Sequence, residues 1–264
     1  IHKKGVFKMK KIVAVICGLV VCLSMASAKK KSSGKFVLGL DDSFPPLGFR
    51  DKNNEIVGYD IDLAREVASR LGLELVCQPI DWSTKEMELN TGKIDCIWNG
   101  LTLTEERKRA MACSEPYLAN AQVVVVRNNG EIKSLSDLKG KKIGVQAGSS
   151  AQEAIDGAPD FKKSLKEIVE FKENVTALND LEFGNLDGVV MDLVVAGYSI
   201  TQGKKPLVIL DETLAPEEYG IAFSRKNKSL RDKVQKTLLE MQADGTVAKI
   251  STKWFGSDIS TIGK

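Results

Sequence analysis

Residues 99–117 read NGLTLTEERKRAMACSEPY and hold groups suited to gripping a small anion. Gly100 has no Cβ, so a backbone there can approach a ligand closely. The Thr102 hydroxyl and neighbouring amides are donors at the end of a strand, and Arg107 adds a planar fork that matches a carboxylate bidentately. Taken alone, Arg107 within Glu105-Glu106-Arg107-Lys108-Arg109 reads as readily as a solvated charge. The other chemistry-bearing positions decide between the two. Gly148-Ser149-Ser150 form a Gly/Ser turn entering a helix near Ala151, and free amides at a helix start suit an anion. Asp192 follows the apolar run Gly188–Met191 and could receive a cation. Phe44 and Trp82 could sandwich an apolar stem or stack on a planar group, with Asp41 at the far end. Separately, the aromatic residues could be core, the serines caps and the aspartates turn residues. Jointly they complement an α-amino acid zwitterion.

Such groups converge only if the chain brings strand ends together. Phe36–Leu40 predicts a strand leading into Asp41-Asp42-Ser43-Phe44-Pro45-Pro46, a turn fixed by two prolines. A hairpin follows across Asp51-Lys52-Asn53-Asn54. A helix from Tyr59 presents Ile61, Ala64, Val67, Ala68 and Leu71 on one face and ends at Gly72. Strands at Leu73–Pro79 and Ile94–Trp98 flank a helix near Lys85–Thr91, and this alternation predicts a parallel α/β sheet. Gln122–Arg127, with four consecutive valines, is a buried strand. A second α/β series has strands Lys142–Val145, Ile168–Phe171, Gly188–Met191 and Leu207–Leu210. Tyr219–Phe223 is a further strand, Leu230–Asp244 a long amphipathic helix, and Trp254-Phe255 packs the tail back. The expected architecture is two α/β lobes joined by two extended hinge crossings, near Tyr117–Gln122 and Pro216–Ile221. The first lobe is expected over residues 35–119, the second over 120–218, with 219–258 returning to the first. Strand ends of paired lobes face the cleft between them, and Asn99, Gly100 and Thr102 are placed just after Ile94–Trp98.

Composition is that of an ordinary soluble globular protein: 43% apolar and 28% charged over 264 residues. Residues 1–28 differ. Met9-Lys10-Lys11, the uncharged run Ile12–Met25 and Ala26-Ser27-Ala28 have the form of a secretory signal peptide, with Met9 as its start. Removing Lys3, Lys4, Lys8, Lys10 and Lys11 turns the formal charge of +3 into −2. No basic surplus then argues for nucleic acid. Cys77, Cys96 and Cys113 remain after cleavage, an odd number with no zinc spacing, and the only histidine is His2. A metal site or a Cys-His nucleophile is not expected, and neither is any catalytic residue.

These residues resemble the exported solute-binding proteins for polar amino acids that serve ABC importers, bacterial extracellular solute-binding protein family 3. The resemblance runs from Phe36 to about Phe255. It rests on Asp41 through Pro46, on Gly58-Tyr59-Asp60-Ile61-Asp62-Leu63 and on Asp95 through Arg107. Ser114-Glu115-Pro116-Tyr117, Leu138 through Val145 and Asp187 through Asp192 complete it. It implies a two-lobed periplasmic-binding-protein-like fold of type II, closing by hinge bending on its ligand. It further implies that Arg107, Thr102 and Ser150 hold the ligand α-carboxylate, Asp192 the α-amino group, and Phe44 and Trp82 the side chain. A monomer that docks on an ABC permease in the inner membrane is expected, working in the periplasm or at the outer face of the membrane. Asn99, Met191 and Ala151 depart from common choices and bear on the side chain accepted. Asp41 favours a cationic or amide-bearing side chain, because a buried unpaired carboxylate is costly. A dehydratase for cyclohexadienyl acids and a soluble ligand sensor are the alternatives on the same fold.

Overall fold

Leu38 and Leu40 in β1 (Lys35–Leu40) are fully buried, and both neighbouring strands run parallel to it. The computed structural model describes residues 34–264, so the expected signal peptide lies outside the described residues. After β1, short strands β2 (Ser43–Phe44), β3 (Gly48–Arg50) and β4 (Ile56–Val57) make a small antiparallel sheet around the predicted hairpin. Helix α1 (Tyr59–Leu71) carries Asp60 and Asp62 in its first turn, where they suit the positive end of the dipole. It buries Ile61, Ala64, Val67 and Ala68 and stops at Gly72, whose φ of 67° lies in the left-handed region.

The chain continues through β5 (Glu74–Pro79), a 3-10 turn at Trp82–Thr84 and α2 (Lys85–Asn90). Next come β6 (Cys96–Thr102), α3 (Glu105–Ala110), β7 (Ala112–Cys113) and β8 (Leu118–Arg127). The second series is β9 (Lys142–Gln146), α4 (Ser150–Asp156), α5 (Pro159–Ser164), β10 (Glu167–Phe171), α6 (Asn174–Phe183), β11 (Gly188–Asp192) and α7 (Leu193–Gly203). Strand β12 (Leu207–Phe223) and helices α8 (Lys228–Ala243) and α9 (Thr246–Phe255) end it.

The strands follow the order β10-β9-β11-β8-β12-β6-β1-β5, with β7 on β12. At one end β5, β1 and β6 are parallel, at the other β10, β9 and β11 are parallel, and these ends belong to the two lobes. Strands β8 and β12 run antiparallel between them, so the sheet is mixed rather than parallel throughout. The two expected crossings are therefore not separate linkers. They pair with each other, Tyr219 opposite Leu118 and Pro216 opposite Ala121. The same pairing fuses the expected strands at Leu207–Leu210 and Tyr219–Phe223 into one long strand with two register shifts.

The valines of β8, Val123–Val126, are at most 1% exposed. Burial of each contributes roughly 1.5–3 kcal/mol relative to exposure. They alternate between two cores: Val123 and Val125 join Met191 and Val189, whereas Val124 and Val126 join Ile143, Val145 and Ile155. The tail returns as expected, on a helix the sequence reading did not separate. Gly245, at φ 80°, starts α9, which sets the Phe255 ring edge-on to Tyr59 at 5.0 Å and lets Trp254 Nε1 donate to Asp62 at 2.9 Å. Among the described residues Cys77, Cys96 and Cys113 are free thiols, and no helix is long and apolar enough to cross a membrane.

Candidate functional site

Strand β6 ends in the site rather than before it. The sequence reading stops this strand at Trp98, but pairing of Leu101 and Thr102 with Gly220 and Tyr219 of β12 prolongs the ladder through Thr102. Asn99, Gly100 and Thr102 are thus strand residues. Gly100 has φ +60°, and a Cβ there would lie 2.7 Å from Leu47 Cδ1 and 2.8 Å from Phe44 Cε1. Its amide donates to Asp60 Oδ2 at 2.8 Å and to Tyr117 OH at 3.2 Å. Its amide is therefore already engaged within the protein. Burial pushes the Asp60 carboxyl up to about 7, against the opposing pull of these bonds.

Helix α3 then aims Arg107. Thr104 caps the helix by accepting the Arg107 amide at 3.3 Å, and Glu105 and Glu106 suit its first turn. The Arg107 side chain is only 5% exposed. Nη1 donates to the Thr102 carbonyl at 3.1 Å and Nη2 to the Gly148 carbonyl at 3.2 Å, one from each lobe. Among the described residues no carboxylate lies within 4.0 Å of this buried guanidinium. Lys85 Nζ reaches the same Gly148 carbonyl at 2.8 Å and sits 5.1 Å from the Trp82 ring centroid. Burial brings the Lys85 ammonium down to about 8, with the Arg107 charge adding to it. The lobes touch here: Gly148 has φ +70°, and a Cβ on it would stand 2.9 Å from Ser83 Cα.

Asp41 occupies the opposite end. Its Oδ1 accepts the Ser43 amide at 2.9 Å and the Ser43 hydroxyl at 2.7 Å, and its Oδ2 accepts Gln146 Nε2 at 2.7 Å. Its amide donates to Asn99 Oδ1 at 3.1 Å, while Asn99 Nδ2 is buried with no partner. Burial raises the Asp41 carboxyl above the usual carboxylate range despite these donors. Gln146 is itself oriented, since Nε2 also donates to the Lys172 carbonyl at 3.0 Å and Oε1 accepts Asn174 Nδ2 at 3.2 Å.

Asp192, 5% exposed, closes β11. Three donors converge on its Oδ1: Asn120 Nδ2 and Tyr219 OH, each at 2.8 Å, and Gln122 Nε2 at 3.0 Å. Burial, then the Glu217 charge, push its carboxyl up to about 7. Ser150 Oγ donates to Thr102 Oγ1 at 3.0 Å, and the Thr102 hydroxyl donates to Glu217 Oε2 at 2.8 Å. In this arrangement the Thr102 hydroxyl is engaged by Glu217 and Ser150. Ser149 donates to the Gln146 carbonyl at 2.7 Å, so its side chain braces the turn.

Every expected site residue except Thr102 lines one narrow cavity: Asp41, Phe44, Trp82, Asn99, Gly100, Arg107, Ser149, Ser150 and Asp192, joined by Gln146. Thr102 lies beside it, in the groove that Ser150 and Glu217 share. The sequence reading missed Gln146, Lys85, Asn120, Gln122, Glu217 and Tyr219. A signal existed for two of them. Asn120 and Gln122 are two apart in the apolar run of β8, so both point to one face, where a buried polar pair needs partners.

Comparison with known proteins bears on this arrangement. A sequence profile described as bacterial extracellular solute-binding proteins, family 3, matches residues 36–257. The L-cystine-binding protein TcyJ of Escherichia coli strain K12 is 30% identical over 236 residues, covering 88% of this chain and 86% of the relative. The crystal structure of an ABC uptake transporter substrate-binding protein from Streptococcus pneumoniae with bound histidine superposes with a TM-score of 0.84 at 34% identity, covering 86% and 94% of the two chains. An ancestral arginine-binding protein bound to arginine gives 0.79 at 40% identity, covering 86% and 100%.

Proposed function

This chain belongs to the bacterial extracellular solute-binding proteins, family 3, and from that premise we propose that its cavity selects an amino acid with a cationic or amide side chain. At the coarser level the fold and family are those of a two-lobed transport protein, not an enzyme. It binds a polar amino acid outside the cytoplasm and delivers it to an ABC permease.

One observation carries the finer reading. A buried guanidinium with no acid within 4.0 Å and a buried carboxylate with no base within 4.0 Å line the same small cavity, among the described residues. Buried charges are paired in stable proteins. An α-amino acid supplies both missing partners, its carboxylate to the Arg107 fork and its ammonium to Asp192. Ser150 stands beside the carboxylate, and Phe44 and Trp82 flank the side chain. At the distal end Asp41 Oδ2 can accept a further donor and Asn99 Nδ2 can give one, which suits a guanidinium, ammonium, imidazole or amide. The relatives described as binding arginine, histidine and cystine support a polar amino-acid ligand. We further propose that the protein acts as a monomer, in the periplasm or at the outer face of the membrane.

The test is a thermal-shift screen of residues 29–264, unfolded and refolded to strip bound solute, against the standard amino acids and cystine. Binding to the native state alone adds about 4 kcal/mol at a thousandfold excess over Kd. A large shift with arginine, lysine, histidine or glutamine is expected. A shift with acidic amino acids alone would overturn the assignment of Asp41.

A further inference from the structure

We propose that Glu217, on the return crossing β12, is the positioning residue of the ammonium end of the cavity and makes that end doubly anionic. The inference rests on the amino-acid reading above and deepens it. Glu217 Oε2 accepts three hydrogen bonds: Thr102 Oγ1 at 2.8 Å, Gln122 Nε2 at 2.9 Å and Asn120 Nδ2 at 3.0 Å. The two amides are the same ones that bind Asp192 Oδ1, at 3.0 Å and 2.8 Å. A side-chain amide has two N–H groups, so Asn120 places one on each acid and bridges the pair, while Gln122 Nε2 shares its two among both acids and Ser150 Oγ at 3.3 Å. Like charges held this close normally shed one charge or recruit a cation. Among the described residues neither carboxylate has a lysine or arginine within 4.0 Å. The cation that answers the pair is the ligand ammonium, which meets Asp192 in the cavity while Glu217 reaches it only across the bridging amides.

Glu217 and Thr102 both lie in the groove beside the main cavity, so Glu217 acts through Thr102 and the Ser150 hydroxyl that Thr102 meets, which lines both. A hydroxyl has one proton and two lone pairs. Glu217 takes the proton and Ser150 fills one lone pair at 3.0 Å, leaving an acceptor on Thr102. An acceptor suits an ammonium and repels a carboxylate. With a carboxamide at position 217, the amide could donate to Thr102 and turn the hydroxyl proton toward the ligand. The bridging amides stay in place, but the end of the cavity loses a charge and an acceptor.

Calorimetry on the full mature chain tests this with two probes: the amino acid giving the largest thermal shift, and the same molecule with hydrogen in place of its α-amino group. If arginine is that ligand, the second probe is δ-guanidinovalerate. Glu217→Gln should weaken the amino acid at least about tenfold, the size of one charge-assisted hydrogen bond. The des-amino probe should be unaffected within about twofold, so the ratio of the two affinities collapses. Glu217→Asp, which keeps the charge, should restore part of that ratio. Equal weakening of both probes, or an unchanged ratio, would show that Glu217 only braces the hinge and would overturn the proposal. A wild type that binds no α-amino acid would overturn the amino-acid reading and take this inference with it; a wild type that binds while the ratio stays fixed leaves that reading intact.

Discussion

Truncation of Arg107 measures the clamp most directly. Its guanidinium is held by the Thr102 carbonyl at 3.1 Å and the Gly148 carbonyl at 3.2 Å, which leaves further N–H groups of the fork for a ligand carboxylate. Each charge-assisted bond contributes about 1.5–3 kcal/mol, so a bidentate pair contributes about 3–6 kcal/mol. That corresponds to a loss of roughly two to four orders of magnitude in affinity for Arg107→Ala. Arg107→Lys keeps the charge but not the fork and should fall between the two. Both lobes supply the carbonyls, so the free protein with its cleft open should unfold at nearly the wild-type denaturant midpoint. Isothermal titration would compare the amino acid with its decarboxylated amine in wild type and Arg107→Ala. The double-mutant cycle isolates the pairing of Arg107 with the carboxylate from any general damage. A coupling below about 0.5 kcal/mol would refute the pairing, because contacting groups in one network normally couple by more than that.

Asp192 predicts a pH dependence. Its carboxyl titrates near 7 in this arrangement, so acidification below that value neutralises the partner of the ligand ammonium. Affinity should drop from about pH 7 to about pH 5 by up to tenfold per unit, and Asp192→Asn should bind weakly without that slope; an identical slope in the variant would refute the assignment. Because the folded value is raised, the same group also makes the protein less stable as pH climbs from about 4 to about 7, and Asp192→Asn should flatten that part of the stability profile. Gly100→Ala places a Cβ against Leu47 Cδ1 at 2.7 Å and Phe44 Cε1 at 2.8 Å in a left-handed conformation. Left-handed strain of about 1–2 kcal/mol and overpacking of about 1–3 kcal/mol should together destabilise the fold by about 2–5 kcal/mol in urea denaturation. A change within about 0.5 kcal/mol would show that the close approach is not needed.

Where local chemistry and long-range structure agree, the sequence was readable. Gly72 after an amphipathic run marked the end of α1, and the valine run marked a strand buried on both faces. Residues just beyond strand ends, such as Asp41 and Arg107, were placed in one cavity because α/β lobes direct those ends inward. What escaped depends on partners distant in sequence. The extension of β6 through Thr102 is set by pairing with residues more than a hundred positions away, which no local propensity reports. Glu217 stands in Pro216-Glu217-Glu218, where a polar residue next to a proline looks like an ordinary exposed turn. Only the register that sets it opposite Asn120 turns it inward to the bridged acids. Gln146 was lost by one residue, since the apolar pattern of β9 ends at Val145 while its ladder continues to Gln146 opposite Phe171.

The pairing of β8 with β12 has a mechanical consequence. Two separate tethers would let the halves of the molecule twist, slide and splay independently. A ladder running from Leu118 opposite Tyr219 to Gln122 opposite Ala215 makes them a single ribbon, which bends far more readily than it shears. Asn120, Gln122 and Glu217 all lie on this ribbon, and Glu217 accepts from both amides across it. The ribbon and the bridge between the two acids are then one object. In the binding role proposed above, bending of the ribbon would move Arg107 and Asp41, which lie away from it, farther than the two acids bridged across it.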